Sequence, residues 1–199
     1  REDPRNADLL WAGTEYGLWA SLDRGASWTK VGELPAVPVD DVAIHERDRD
    51  VVVATHGRSL FVLDDVTALQ ELTPEVRAKA LHLFPPRPAE ARHLLPGWAD
   101  WNGSAHFRGE DPKEGALVTF WLKEPSAEPV KVAITTADGR PVANLTAPGL
   151  AGLGRVSWDL KPTKDLRTEY GGLPAGRHVA PGDYRVTVTC GEARSSQTL

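Results

Sequence analysis

The sequence has one cysteine, Cys190, and no methionine among its 199 residues. A lone thiol excludes an internal disulfide framework and any cysteine-rich zinc site. The six histidines are scattered with no i,i+4 pair, so a helical zinc motif is absent as well. No apolar run approaches the ~18 to 20 residues of a membrane-spanning helix. Positive charge is in deficit: Lys+Arg 23 against Asp+Glu 28 gives a net charge of -5, which excludes the basic footprint of a nucleic-acid partner. No G-x-S-x-G, H-E-x-x-H, P-loop or kinase signature is present, and nothing in the sequence calls for a cofactor. The chain opens on Arg1-Glu2-Asp3-Pro4 with neither an initiator nor a basic-then-apolar leader. We read it as a fragment or processed product.

Glycine, proline and tryptophan are plentiful. Gly 18, Pro 16 and Trp 7, against Tyr 3 and Phe 4, point to short strands, many turns and tryptophan anchors. Ala12-Gly13-Thr14-Glu15-Tyr16-Gly17-Leu18-Trp19 aligns without a gap on Ala54-Thr55-His56-Gly57-Arg58-Ser59-Leu60-Phe61. Farther along, Asp23 falls on Asp65. The offset, 42 residues, lies within the roughly 40 to 45 residues of a four-stranded propeller blade. A propeller has about four blades or more. Residues 1–68 therefore make only its last one to two blades and expect a partner for their open edges: the remainder of the propeller, in the same parent chain or another.

Residues 69–115 read as a linker. Thr73-Pro74 opens a short helix, Leu81 to Phe84 is an edge strand, and Trp98 and Trp101 sit in a Pro- and Gly-rich stretch. From 116 to 199 apolar residues alternate, as in Val130/Val132/Ile134 and Tyr184/Val186/Val188, which predicts a small β-sandwich of immunoglobulin-like type. Cys190 sits in the apolar register of its strand, as a buried thiol.

The most specific motif is Ser21-Leu22-Asp23-Arg24-Gly25-Ala26-Ser27-Trp28, an S/T-x-D-x-G-x-x-W Asp-box. Its chemistry is that of a turn. Asp23 accepts backbone N–H bonds, Gly25 allows positive φ, and Trp28 packs beneath the hairpin. In the second copy Thr67 and Gln70 replace Gly25 and Trp28, so that box is lost.

On these residues the chain resembles the Asp-box, or BNR-repeat, propellers of the bacterial "glycosyl hydrolase, BNR repeat" and sortilin-like type. Leu10-Trp11-Ala12-Gly13-Thr14 and Val53-Ala54-Thr55-His56-Gly57-Arg58 look like closing blades. Gly109-Glu110-Asp111-Pro112 through Trp121-Leu122, Trp158-Asp159-Leu160 and Pro181-Gly182-Asp183-Tyr184 look like the family's C-terminal immunoglobulin-like domain. The resemblance implies a secreted, periplasmic or cell-envelope protein. It also puts the turns opposite the box, with Glu15, Tyr16, His56 and Arg58, on the ligand face.

Arg58 suits a carboxylate or phosphate, and His56 a proton near neutrality, although both also suit structural ion pairs. Trp98 and Trp101 suit either sugar stacking or the wedging of a linker. Adjacent carboxylates, Asp40-Asp41 and Asp64-Asp65, point to opposite faces of a strand and form no glycosidase pair by themselves. The expected role is a non-catalytic scaffold or binding region. The alternatives are one wall of a carbohydrate cleft in a glycoside hydrolase, and a sortilin-like peptide-binding propeller.

Overall fold

The computed structural model describes residues 1–32, 34–91, 114–166 and 177–199. It is all-β with small antiparallel sheets and falls into two compact units, Arg1–Val76 and Arg77–Leu199. No helix among the described residues is long and apolar enough to cross a membrane.

The first unit holds two three-stranded sheets. One is formed by β1 (Leu10–Thr14), β2 (Gly17–Ser21) and β3 (Thr29–Lys30), the other by β4 (Val39–His45), β5 (Asp50–Thr55) and β6 (Leu60–Leu63). Glu2 bridges Leu10 and the Trp11 N–H donates to the Arg1 carbonyl, so the first residues extend the β1 edge. Period-2 alternation turns Leu18 and Ala20 of β2, and Val51 and Val53 of β5, into one shared core with Leu9, Trp11 and Val42. Gly13 makes the close approach of β1 to β4 possible: a Cβ there would stand 2.6 Å from Val39 Cγ1.

The two sheets depart from the ungapped repeat. β1 and β2 are joined by a two-residue turn, Glu15-Tyr16, because Thr14 pairs with Gly17. In β5–β6 Thr55 N–H donates to the Ser59 carbonyl, leaving three residues, His56-Gly57-Arg58, in the turn. Phe61 stands 42 residues after Trp19, yet its partner Val53 stands 41 after Ala12, the partner of Trp19. A one-residue slip moves side chains to the opposite face. Leu18 is fully buried, whereas Leu60 is 63% exposed.

After β6 the chain enters helix α1 (Thr67–Glu71). Asp65, at φ 51, turns the chain, and its carboxylate accepts from the Thr67 N–H and hydroxyl. The helix is tied back to the start of the chain by Gln70 Nε2, which donates to both oxygens of buried Asp3 at 3.0 Å. Helix α2 (Pro74–Ala78) comes next, with Thr73 Oγ1 accepting from Val76 N–H at 3.3 Å.

The segment 69–115 is therefore not uniformly a linker. Strand β7 (Leu81–Leu83) pairs with β8 (Ala116–Leu122) and belongs to the second unit, because Leu81, Leu83 and Phe84 are buried. The remaining strands are β9 (Val130–Thr136), β10 (Pro141–Ala147), β11 (Gly152–Trp158), β12 (Tyr184–Cys190) and β13 (Ala193–Thr198). They form one sheet in the order β11-β8-β7 and another in the order β10-β9-β12-β13. Alternate residues from both sheets, such as Val118, Phe120, Val132, Ile134 and Val186, enclose one core. Cys190 is buried there as a free thiol.

Backbone and side chains interlock in this unit. Gly154 lies opposite Phe120 in the register, and a Cβ on it would stand 2.3 Å from the Phe120 Cζ. Trp158 is buried edge-on to Tyr184, with ring centroids 5.5 Å apart, and its indole N–H donates to the Lys161 carbonyl. The Tyr184 hydroxyl donates to the Ala180 carbonyl at 2.6 Å. The edges of the two sheets meet where Leu83 N–H donates to Ser195 Oγ and Gln197 Nε2 donates to the Leu83 carbonyl.

Candidate functional site

Two sets of turns concern function, at opposite ends of β2. The first is the Asp-box between β2 and β3. Ser21 Oγ donates to Asp23 Oδ1 (2.7 Å) and accepts from Gly25 N–H (2.7 Å). Asp23 accepts from the Ser27 N–H at Oδ1 (2.8 Å) and from the Ser27 hydroxyl at Oδ2 (2.5 Å). The Ser27 bonds contribute most, with Ser21 adding to them, and the Asp23 carboxyl is lowered to about 2. Arg24 and Gly25 take φ values of 56 and 91, and Arg24 Nε pairs with the Asp8 carboxylate.

Trp28 departs from the expectation. It is 41% exposed, and its indole N–H donates to the Gly25 carbonyl, so it lies against the turn without being sealed beneath it. Ser27 is the participant that pattern reading passes over. It occupies a variable position of the motif, and only its hydroxyl chemistry marks it.

The second set comprises the β1–β2 and β5–β6 turns. Val39 brings them to the same end of the unit, since it pairs with Thr55 and touches the site of Gly13. Glu15 and Tyr16 are exposed, Tyr16 at 72%. His56 and Arg58 are also exposed. His56 N–H donates to the Pro38 carbonyl, and its Nδ1 stands 3.4 Å from Asp40 Oδ2. Asp40 is the second residue that sequence reading does not single out as a partner. Among the described residues, no hydrogen bond or ion pair joins Glu15 or Tyr16 to His56 or Arg58. Trp98 and Trp101 lie outside the described residues.

The electrostatics are those of anchored carboxylates. A bond from Arg1 holds Asp41 below the usual carboxylate range, and bonds from Thr136 and Thr163 do the same for Asp138 and Asp165. A glycosidase acid needs the opposite shift, upward, together with a second carboxylate across the bond. The adjacent pair Asp40-Asp41 is divided between His56 and Arg1. No group of three or more His, Cys, Asp or Glu side chains able to hold a metal occurs among the described residues. What the turns offer is an exposed rim of mixed charge with one aromatic ring.

No protein-family model and no curated protein matches this chain. Among solved structures it is similar to PorZ, an essential bacterial surface component of the type-IX secretion system of Porphyromonas gingivalis. The identity is 16% and the TM-score 0.31, with coverage of 100% of this chain and 21% of that one. The chain thus spans about a fifth of the length of the protein it matches.

Proposed function

We propose that this chain is a non-catalytic scaffold or binding region of a secreted or cell-envelope Asp-box propeller protein. In this reading the first unit supplies two propeller blades and the second an immunoglobulin-like sandwich. The observation that carries it is the Ser21–Asp23–Gly25–Ser27 hydrogen-bond set at the turn between β2 and β3, in the first of two sheets related by a repeat of blade length. Two open three-stranded sheets are far short of a closed ring, so the reading includes further blades as partners.

The sandwich reading draws on strand order. In sequence, β7 to β13 take the places A, B, C, C′, E, F and G, giving sheets E-B-A and C′-C-F-G. Tyr184, at the start of the strand in the F place, donates back to Ala180, the arrangement of a tyrosine corner.

The non-catalytic part of the proposal is supported by Asp23 and Asp41, whose carboxyls are held low, and by the division of the adjacent pair Asp40-Asp41 between His56 and Arg1. The test is to incubate the purified full-length parent with a panel of polysaccharides and measure the release of reducing ends. No release is expected. Turnover abolished by Glu15→Gln would overturn the proposal in favour of a glycoside hydrolase. Binding of extended peptides lost on Arg58→Ala would identify the binding partner as peptide.

A further inference from the structure

We infer that His82 makes the seating of strand β7 on its sheet sensitive to acid: a neutral imidazole accepts a hydrogen bond from Lys79, and a protonated one turns that contact into a repulsion. The chemistry of the donor fixes the first half. Lys79 Nζ stands 3.4 Å from His82 Nδ1. An ammonium group can only donate, so Nδ1 is the acceptor, the ring is neutral and its one proton is on Nε2. A second proton would have to go to Nδ1. It would remove the acceptor and set two cations against each other.

The surroundings offer a protonated ring no compensation. His82 pairs with Trp121 of β8, and its ring meets Phe84 in a T-shaped contact with centroids 4.9 Å apart. The charged groups that neighbouring elements bring to this side of the sheet are cations. Lys123 follows Trp121 by two residues, and its N–H donates to the Ala80 carbonyl. Arg155 of β11 donates to Thr119 Oγ1, on the same side of β8 as Trp121. β13 contributes the uncharged Ser195 and Gln197, and β12 the apolar Val186 and Val188 of the core. Among the described residues no ion pair reaches His82. Burial first, and the Lys79 ammonium second, hold its imidazole below the ordinary value of 6.5.

Strand β7 is the part placed to respond. It has three residues at the edge of its sheet, and short edge elements open more readily than the strands behind them. Its Leu83 backbone also closes the gap to β13, through Ser195 and Gln197. The sign follows from linkage. An opened strand binds the proton at the ordinary value, and the seated strand binds it only at lower pH. The contribution of His82 to seating is therefore fully present above 6.5 and is lost as the pH falls from there through the lower folded value. The proton biases the opening of β7 against the hold of buried Leu81 and Leu83.

Imidazole NMR on the 199-residue chain reads tautomer and titration together. The proton is expected on Nε2, with a midpoint below 6.5 that Lys79→Met moves upward. A proton on Nδ1, or a wild-type midpoint at or above 6.5, overturns the inference. Hydrogen exchange of the Leu83 amide, which donates to Ser195 Oγ, reads the seating itself. After correction for intrinsic exchange, its opening constant is expected to rise about threefold or more between about pH 7.5 and about pH 5. His82→Gln, which can still accept from Lys79 but does not titrate, is expected to remove that rise. No rise in the wild type, or an equal rise in His82→Gln, overturns the inference. Should His82→Gln fail to fold, the tautomer and midpoint of the wild type still decide. Neither measurement bears on the polysaccharide assay, so failure of this inference and failure of the functional reading are told apart.

Discussion

The two copies of the repeat in the first unit begin alike and end differently. Both run two strands into a turn governed by an aspartate. In the first copy Asp23 is exposed, its partners are Ser21 and Ser27, and the chain proceeds to a third strand. In the second copy Asp65 is buried, its partner is Thr67, and the chain enters a helix. The difference teaches that the aspartate sets a sharp turn, while the residues after it decide between strand and helix. Gly25, at φ 91, lets the chain come back as a hairpin, whereas Thr67-Ala68-Leu69-Gln70 has no glycine and continues as α1.

The largest effect that sharpens this comparison concerns the slip between the copies. Leu18→Ala is expected to cost about 2–5 kcal/mol, the usual range for a buried leucine. Leu60→Ala, at the matching position, is expected to change stability by no more than about 0.5 kcal/mol in dilute solution. Urea denaturation of the 199-residue chain reads both, and equal costs would mean that the faces of β6 are not exchanged. Next in size is Asp65→Ala, expected to cost about 1–3 kcal/mol because Thr67 loses its acceptor inside the protein. Asp23→Ala is expected to lower the thermal midpoint by less, since water reaches the donors it leaves. The reverse order would show that the box, not the helix, anchors the unit.

The smallest effect is one of pH. The folded Asp23 carboxyl, at about 2, lies below its ordinary value of 3.8. A lowered folded value means that its contribution is fully present above about 3.8 and is lost as the pH falls through about 2. Carboxyl NMR should give a midpoint near 2 for Asp23, and the Ser27→Ala variant should move it upward. A midpoint at 3.8 in the wild type would remove Ser27 from the turn.

How much of this is legible from residues alone varies with the physics involved. The Asp-box turn is local: serine, aspartate and glycine at fixed spacing specify hydrogen bonds that need nothing distant. The slip is less visible, since the ungapped repeat hides it. Its sign is the glycine, third in Glu15-Tyr16-Gly17 but second in His56-Gly57-Arg58. Helix α1 is obscured because Thr67 and Gln70 align with a motif they no longer form, and the tie from Gln70 to Asp3 spans 67 residues. The partner of β7 is equally remote, lying across a long proline- and glycine-rich stretch. As for the rim of turns, sequence supplies Glu15, Tyr16, His56 and Arg58. It does not supply Asp40, which reaches His56 only through the pairing of β4 with β5.

Gly154 has a consequence that reaches past this one chain. The ring of Phe120 occupies the volume where its side chain would be, so the two residues together fill a single space on the inner wall of their sheet. Among diverged descendants of the same ancestor, these two sites should mutate as a couple. Lineages that acquire bulk at the glycine should have trimmed the aromatic, and those that keep the aromatic should show no tolerance opposite it.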